Sequence, residues 1–293
     1  MTPRPLFRVP LPSREPLQLG ARTLVMGILN VTPDSFADGG LHFETERAVE
    51  AGRRMVEDGA DIVDVGGEST RPGAEPLPEG EELRRVIPVI ERLASQVPVP
   101  ISIDTYKSGV ARAAIAAGAS IVNDVSGLRY DPDLGGVVAQ TGAAIVLMHT
   151  RGRSSEMYSL AQYSDVVAEV TAELLEAIER AVLAGVAREA VIVDPGIGFA
   201  KKAEHSAQLL ARLETLHALD RPILSGPSRK SFLKAALGER PAAERDWGTA
   251  AAVTASILNG AHIVRVHGVR EMVDVVRATD FIRTARGGSL ALS

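Results

Sequence analysis

The sequence contains no cysteine, few aromatic residues and no long apolar run. The absence of cysteine excludes disulfides, thiol nucleophiles, and zinc or iron–sulfur centres held by cysteine. Aromatic residues make up 4% of the 293 residues, which disfavours a surface that stacks nucleobases. Since no uncharged apolar stretch reaches the roughly 18 residues of a membrane-spanning helix, we expect no membrane partner.

Positive charge is also scarce. Lysine and arginine number 32 against 37 acidic residues, so the net charge is −5 and we expect no nucleic-acid partner. An anionic substrate would need a local cluster of cations. The first sixteen residues carry five prolines and lack the apolar core of a signal peptide. Together with the absence of cysteine, this predicts a cytoplasmic location.

Short runs rich in isoleucine and valine alternate with amphipathic helical patterns. Eight such units favour a closed (β/α)8 TIM barrel of the α/β class over an open doubly wound sheet. We predict a Pro-rich, hairpin-like extension over 1–22, one barrel domain over 23–286 and a short tail over 287–293. The predicted strands are 24–30, 62–65, 99–104, 120–123, 144–148, 191–194, 222–225 and 262–266.

Polar residues stand where nearly every predicted strand ends. The active site of such barrels lies at the carboxyl ends of the strands, so these side chains are expected on one rim. For any single residue, a solvated strand end or a helix cap explains the pattern equally well. The residues are Asn30, Glu68, Asp104, Asn123, Met148, His149, Asp194, Ser225, Arg265 and His267.

Two connections are longer than ordinary strand-to-helix loops, and one further loop carries cations. We interpret 31–44 and 66–80 as lids over the rim, with decorative surface loops as the alternative. Ser225–Ser231 (SGPSRKS) is expected to begin a helix over 228–236 that suits a carboxylate or phosphate. The phosphate loop of nucleoside triphosphatases is absent, and 194–199 fails the spacing of a dinucleotide fingerprint.

Taken together, these segments resemble the dihydropteroate synthase family of pterin-binding barrels, over about residues 25–282. The resemblance implies condensation of 6-hydroxymethyl-7,8-dihydropterin diphosphate with 4-aminobenzoate, by dissociative loss of pyrophosphate, in a homodimeric transferase that is a sulfonamide target. The matching segments are MGILNVTPDSFADGG (26–40), DIVDVGGESTRPG (61–73), ISIDTYK (101–107), IVNDVSG (121–127), LMH (147–149), DPGIGF (194–199), SRKS (228–231) and RVH (265–267).

The resemblance assigns a pterin pocket to residues at the strand ends. Asp104, Asn123 and Asp194 would accept hydrogen bonds from the donor-rich edge of the ring, and Met148 would pack against it. Lys230 would reach the ring carbonyl and N5. Carboxylates near the ring also stabilise the positive charge that develops as the bond to pyrophosphate breaks. The implied catalytic residues are Asp38, Asp104, Asp194, Lys230 and Arg265.

The diphosphate would lie where the first and last strands meet. Arg265, His267 and Asn30 are expected to hold it, with Thr70 and Arg71 from the second long loop. The implied cofactor is Mg²⁺, which would bridge diphosphate oxygens and contact Asn30, because Mg²⁺ prefers substrate phosphates with few protein ligands.

The resemblance assigns a third group of residues to 4-aminobenzoate. Phe36, Pro72 and Phe199 would flank its ring, Ser231 would bind its carboxylate, and Thr70 would lie close to both substrates. The nucleophile is a neutral arylamine and needs no strong general base.

Two alternative functions share the barrel. A corrinoid methyltransferase using methyltetrahydrofolate would need no Arg-x-His or SRKS segment. A non-catalytic pterin-binding barrel would be expected to lose the lid aspartate, Lys230 or Arg265. The chain departs from the family at Gly268, where aspartate is common, and at Ala200-Lys201-Lys202, where Gly-Lys-Thr is frequent. These departures put local loop shape in doubt.

Overall fold

A computed structural model describes residues 4–31, 41–69 and 75–285, with backbone alone for 41–43. Five residues that the resemblance assigns to substrates lie outside this described part, so their predicted roles stay predictions. They are Phe36, Asp38, Thr70, Arg71 and Pro72.

An antiparallel hairpin precedes the barrel and closes its floor. Its strands are β1 (Phe7–Leu11) and β2 (Arg14–Leu19), paired with Val9 opposite Leu17. The buried side chains of the hairpin pack in one apolar cluster with the barrel residues Met26 and Ile62. The hairpin-like extension predicted from the sequence is therefore confirmed.

Eight parallel strands follow in the order β8-β7-β6-β5-β4-β3-β10-β9. The two ends of this sheet meet through a parallel bridge between Val193 and Ile223, with the Val193 N–H donating to Pro222 O at 3.0 Å. The predicted barrel is confirmed. The strands are β3 (Leu24–Asn30), β4 (Ile62–Gly66), β5 (Ile101–Asp104), β6 (Ile121–Asp124), β7 (Ala144–Met148), β8 (Val191–Asp194), β9 (Leu224–Ser225) and β10 (Ile263–Val266).

Helices surround the sheet and cover its outward face. In the described ranges, none is both long and apolar enough to cross a membrane. The helices are α1 (Leu41–Glu57), α2 (Glu79–Gln96), α3 (Ser108–Ala116), α4 (Leu134–Thr141), α5 (Val166–Leu183), α6 (Ala203–Ala211), α7 (Lys234–Leu237), α8 (Asp246–Leu258) and α9 (Val269–Ala285).

The helix predicted over 228–236 is wrong. The backbone of Arg229 has φ +58°, a left-handed conformation that interrupts a right-handed helix. A single 3₁₀ turn over Ser231–Leu233 leads instead into α7, which has four residues. The segment SRKS therefore does not begin a long helix, and its predicted role in binding an anion stays a prediction.

The barrel interior changes from apolar to polar between its floor and its mouth. Side chains alternate between the two faces of a strand, so residues two apart point the same way. Ile62 and Ile263 belong to the floor, and Asp64 and Arg265, each two residues further along the same strand, point into the mouth. The packed floor supports a layer of charged and amide side chains at the carboxyl ends of the strands.

Candidate active site

Arg265 lies at the centre of the polar layer. Its Nε donates to Asp64 Oδ2 at 2.6 Å, and its Nη2 donates to Asp104 Oδ2 at 2.6 Å. Burial lowers the pKa of this guanidinium, but the two carboxylates outweigh burial and the pKa ends above its ordinary value. Arg265 is therefore a fixed cation that joins β10 to β4 and β5 across the mouth.

Asp64 extends this arrangement to Asn123. Its Oδ2 also accepts a hydrogen bond from Asn123 Nδ2 at 3.0 Å. Because the NH₂ group of Asn123 is used in this way, its amide oxygen is the end left to accept from a ligand. Asp64 is fully buried, and its Oδ1 has no hydrogen-bond partner among the described residues.

Sequence reasoning did not assign Asp64 to the site. The residue falls in the middle of its predicted strand rather than at the end, and only strand ends were considered. The available signal was a charged residue within an otherwise apolar run, IVDV, on the inward-facing alternation of β4. A charge in that position is costly unless it is paired.

Two further carboxylates face the same space with raised pKa values. Burial raises the pKa of Asp104, Arg265 lowers it, and Asp64 raises it again, so that the net direction is upward. Burial raises the pKa of Asp194, and the net value is about 6. Three groups lower this pKa in part: the Gly196 N–H, which donates to Asp194 Oδ1 at 2.7 Å, and the charges of Lys230 and Arg265. Both carboxylates are more basic than usual and are ready acceptors for ring N–H groups.

Gly226 keeps the space between two of these groups open. A Cβ at this position would lie 3.9 Å from Asp194 Oδ2 and 3.8 Å from Arg265 Cβ. A Cβ there would be in ordinary van der Waals contact with both groups, so a longer side chain would enter the space between the carboxylate and the guanidinium.

Lys230 stands at the edge of this cluster beside an aromatic ring. Its Nζ lies 3.8 Å from the centroid of the Phe199 ring, a cation–π geometry. Burial and, after it, the charge of Arg265 lower the pKa of Lys230, Asp194 and Asp104 raise it, and the net value is about 8. The structure thus brings Lys230 and Phe199 together and places both near the predicted pterin acceptors.

His267 is neutral in this structure rather than cationic. Ser228 Oγ accepts from the His267 backbone N–H at 3.2 Å and lies 2.9 Å from Nδ1. Burial lowers the pKa of His267 to about 3, with Arg265, Arg229 and Lys230 adding to the effect. With this pKa, His267 is a neutral imidazole near pH 7 and Arg265 is the permanent cation beside it; the role of His267 in binding the diphosphate stays a prediction.

Asn30, Met148 and Ser231 lie in three different settings. Asn30 is exposed at the end of β3 and is paired in register with Gly66, whose own partner in β5 is Asp104. Met148 is buried in β7 opposite Asp194. Ser231 is exposed. The described side chains form no group of three or more His, Asp or Glu that could hold a metal ion by themselves.

The comparisons with known proteins agree with this geometry. The model of the family described as pterin-binding enzymes matches residues 26–267, and the chain belongs to this family. A relative of 46% identity over 275 residues is the dihydropteroate synthase of Synechocystis sp., covering 94% of this chain and 95% of the relative.

Two solved structures extend the likeness to three dimensions. Dihydropteroate synthase of Xanthomonas albilineans with 4-aminobenzoic acid matches with a TM-score of 0.85 and 45% identity, over 92% of this chain and 95% of that chain. The Yersinia pestis dihydropteroate synthase in a sulfonamide drug complex matches with a TM-score of 0.88 and 40% identity, over 95% of this chain and 100% of that chain. The chain is thus similar to dihydropteroate synthases over nearly its whole length.

Proposed function

We propose that the protein condenses 6-hydroxymethyl-7,8-dihydropterin diphosphate with 4-aminobenzoate to give 7,8-dihydropteroate and pyrophosphate. The observation that carries this proposal is the cluster of Asp104, Asn123, Asp194, Lys230 and Arg265 at the barrel mouth, in a chain 46% identical to a dihydropteroate synthase. Neither the methyltransferase nor the non-catalytic alternative explains a complete set of these five groups.

The pocket is complementary to a pterin because of its acceptors. The aminopyrimidine edge of the ring carries an NH₂ and ring N–H groups, which need buried oxygen partners. Asp104, the amide oxygen of Asn123 and the free oxygen of Asp194 supply them. The same carboxylates stabilise the positive charge that the ring acquires when its exocyclic C–O bond to pyrophosphate breaks.

Arg265 links the ring site to the leaving group. In the ligand-free arrangement its Nη2 binds Asp104. When ring N–H groups take over that carboxylate, the guanidinium remains anchored through Nε on Asp64, and its outer N–H groups are available for a diphosphate oxygen. His267, two residues after Arg265, adds a neutral imidazole on the same side of the extended chain. The diphosphate site thus has one fixed cation and one neutral imidazole.

The residues fit a Mg²⁺ ion that is shared with the substrate. The exposed amide oxygen of Asn30 is a suitable ligand for Mg²⁺, and the described residues offer no all-protein cage. Mg²⁺ bound there would neutralise part of the charge on the departing pyrophosphate. Asn30 would orient that end of the substrate.

The second substrate would bind beside Phe199. Its neutral amine attacks the exocyclic CH₂ carbon, a C–N bond forms, and the amine loses one proton. Phe199 packs against the aminobenzoate ring and excludes water, which would otherwise capture the pterin cation. Sulfonamides would compete for this position, since the similar Yersinia pestis enzyme is known in a sulfonamide drug complex.

Pyrophosphate release tests the proposal. Wild-type protein should release pyrophosphate only when pterin diphosphate, 4-aminobenzoate and Mg²⁺ are all present, with dihydropteroate identified by mass. Release that is independent of 4-aminobenzoate, or methyl transfer from methyltetrahydrofolate, would contradict it. The homodimer and the cytoplasmic location stay predictions; light scattering on the purified protein tests the first.

A further inference from the structure

A buried lysine lies beneath the loop that carries Phe199. Lys201 is 2% exposed, and its Nζ donates to Phe199 O at 3.0 Å and approaches His149 Nδ1 at 2.8 Å. The neighbouring Lys202 is exposed. Burial lowers the pKa of Lys201 to about 7, and an amino group buried in this way needs its hydrogen-bond partners, which hold Lys201 in place.

His149 connects Lys201 to a cluster of charged side chains near the surface. Because its Nδ1 faces Lys201, the ring carries its proton on Nε2, which lies 3.2 Å from Glu173 Oε2. Burial lowers the pKa of His149 to about 3, and Lys201 adds to the effect. Glu173 is in turn held by Arg151, whose Nε donates at 2.9 Å. His149, one of the strand-end residues of the sequence analysis, is a neutral imidazole that connects Lys201 to Glu173.

A second contact holds the next carbonyl of the same loop. Tyr163 Oη donates to Ala200 O at 3.0 Å, and the Arg151 guanidinium lies over the Tyr163 ring at 4.1 Å. Ala200 has φ +48°, a conformation unfavourable for a residue with a Cβ. Two successive carbonyls of the loop therefore accept side-chain hydrogen bonds, that of Phe199 from Lys201 and that of Ala200 from Tyr163.

We propose that Lys201 and Tyr163 form a clamp that positions the Phe199 ring beside Lys230 for 4-aminobenzoate. The inference rests on the proposed function. Fixing the carbonyls of Phe199 and Ala200 fixes the backbone from which the ring projects, and the ring stands 3.8 Å from Lys230 Nζ. Each clamp residue acts through a carbonyl of the Phe199 loop rather than on a substrate, so both are positioning residues, and we expect their loss to affect the second substrate most.

Steady-state kinetics with each substrate varied separately test the clamp. Lys201→Met keeps the length of the side chain and removes the donor, and Lys202→Met is the matched control on the neighbouring exposed residue. We expect Lys201→Met to raise KM for 4-aminobenzoate about tenfold, the size of one lost charge-assisted hydrogen bond, with KM for pterin diphosphate within about twofold of wild type. Lys202→Met should match the wild type in both.

Tyr163→Phe removes one hydroxyl and keeps the packing, so it decides the question if Lys201→Met does not fold. A selective rise in KM for 4-aminobenzoate in either variant supports the clamp. Equal changes in both KM values, or a fall in kcat alone, would show a merely structural role and overturn it. A wild-type protein that makes no dihydropteroate overturns the proposed function and, with it, the purpose of the clamp. An active wild type whose variants behave like Lys202→Met overturns the clamp alone.

Discussion

Arg265 is the residue on which the charges of the site converge, since its guanidinium binds carboxylates from two other strands. A lysine could carry the same charge, but its single ammonium group cannot reach both partners in a planar fork. The identity of this side chain therefore matters beyond its charge, and a conservative substitution can test it.

Arg265→Lys should weaken binding of pterin diphosphate by ~1.5–3 kcal/mol, roughly ten- to a hundredfold. Bare hydroxymethyl pterin should lose much less affinity, because its proposed acceptors are Asp104, Asn123 and Asp194. Isothermal calorimetry with the two ligands gives the comparison, and Arg270→Lys on the exposed start of α9 is the control. Equal losses for both ligands would mean that Arg265 acts only as an ion pair within the pocket.

The acceptor role of Asp104 has its own test. Asp104→Asn keeps the size of the side chain but replaces an acceptor oxygen with a donor NH₂, and leaving a buried ring N–H unpaired costs ~1–3 kcal/mol. Affinity for hydroxymethyl pterin and turnover should both fall while the circular dichroism spectrum is retained. Unchanged affinity by calorimetry would remove Asp104 from the pterin pocket.

Ala200 departs from the glycine that is frequent in the family, and the structure shows the consequence. Its φ of +48° is a conformation that glycine adopts without strain. Ala200→Gly should raise the free energy of unfolding by ~1 kcal/mol in urea denaturation. The same substitution at the exposed helical residue Ala278 should lower it by roughly 0.5–1 kcal/mol. Two shifts of the same sign would mean that Ala200 is not strained.

At the scale of elements, the loop after β8 depends on close packing with the end of β7. Gly196 has φ +66°, and a Cβ there would lie 2.0 Å from the carbonyl oxygen of His149. Only glycine allows the loop to approach this backbone closely and then return to α6. Asp194, Phe199 and Lys201 all stand on this one loop, so its path determines the geometry of both substrate sites.

Gly196→Ala should displace the loop, lower the free energy of unfolding by more than ~1 kcal/mol and reduce activity. Gly136→Ala is the matched control, because a Cβ at that helical position of α4 meets nothing within 4 Å. The control should gain roughly 0.5–1 kcal/mol. Thermal melting and pyrophosphate release measure both effects, and a stable, fully active Gly196→Ala protein would contradict the packing argument.

At the scale of the whole molecule, three histidines are buried in neutral form. Burial is the first cause in each case and lowers the pKa values of His149, His262 and His267 to about 3. Below about pH 6.5 the unfolded chain takes up protons on these histidines and the folded chain does not. The free energy of unfolding should therefore fall as the pH drops from about 6.5 towards 3.

Between pH 7 and 5.5 the loss should be roughly 1 kcal/mol for each histidine. Asp104 and Asp194 offset part of it, because their folded pKa values of about 7 and about 6 let the folded state take up protons first. His262→Gln should make the urea-denaturation free energy less dependent on pH, since His262 accepts from Ile223 N–H at 3.1 Å and cannot do so when protonated. An unchanged pH slope in this variant would show that His262 is not neutral in the fold.

Much of the barrel followed from local patterns. The alternation of apolar runs and helical periodicity depends on neighbours a few residues apart, and it located the strands that the structure contains. Asp104, Asn123, Asp194 and Arg265 were identifiable because each stands at or near a strand end, where a polar side chain meets the mouth. Asp64 was missed because its function depends on Arg265 and Asn123, which lie far away in the chain.

The sequence by itself determined the class of fold, the resemblance to one enzyme family and the residue types at the barrel mouth, because periodicity and motif are properties of consecutive residues. Only the tertiary structure decided which of these residues pair. Arg265 binds Asp64 and Asp104, the neutral His267 contacts Ser228, and Lys201 contacts His149. Each of these contacts joins residues from separate strands and loops. Burial and partner geometry set their charges, and neither exists until the chain has folded.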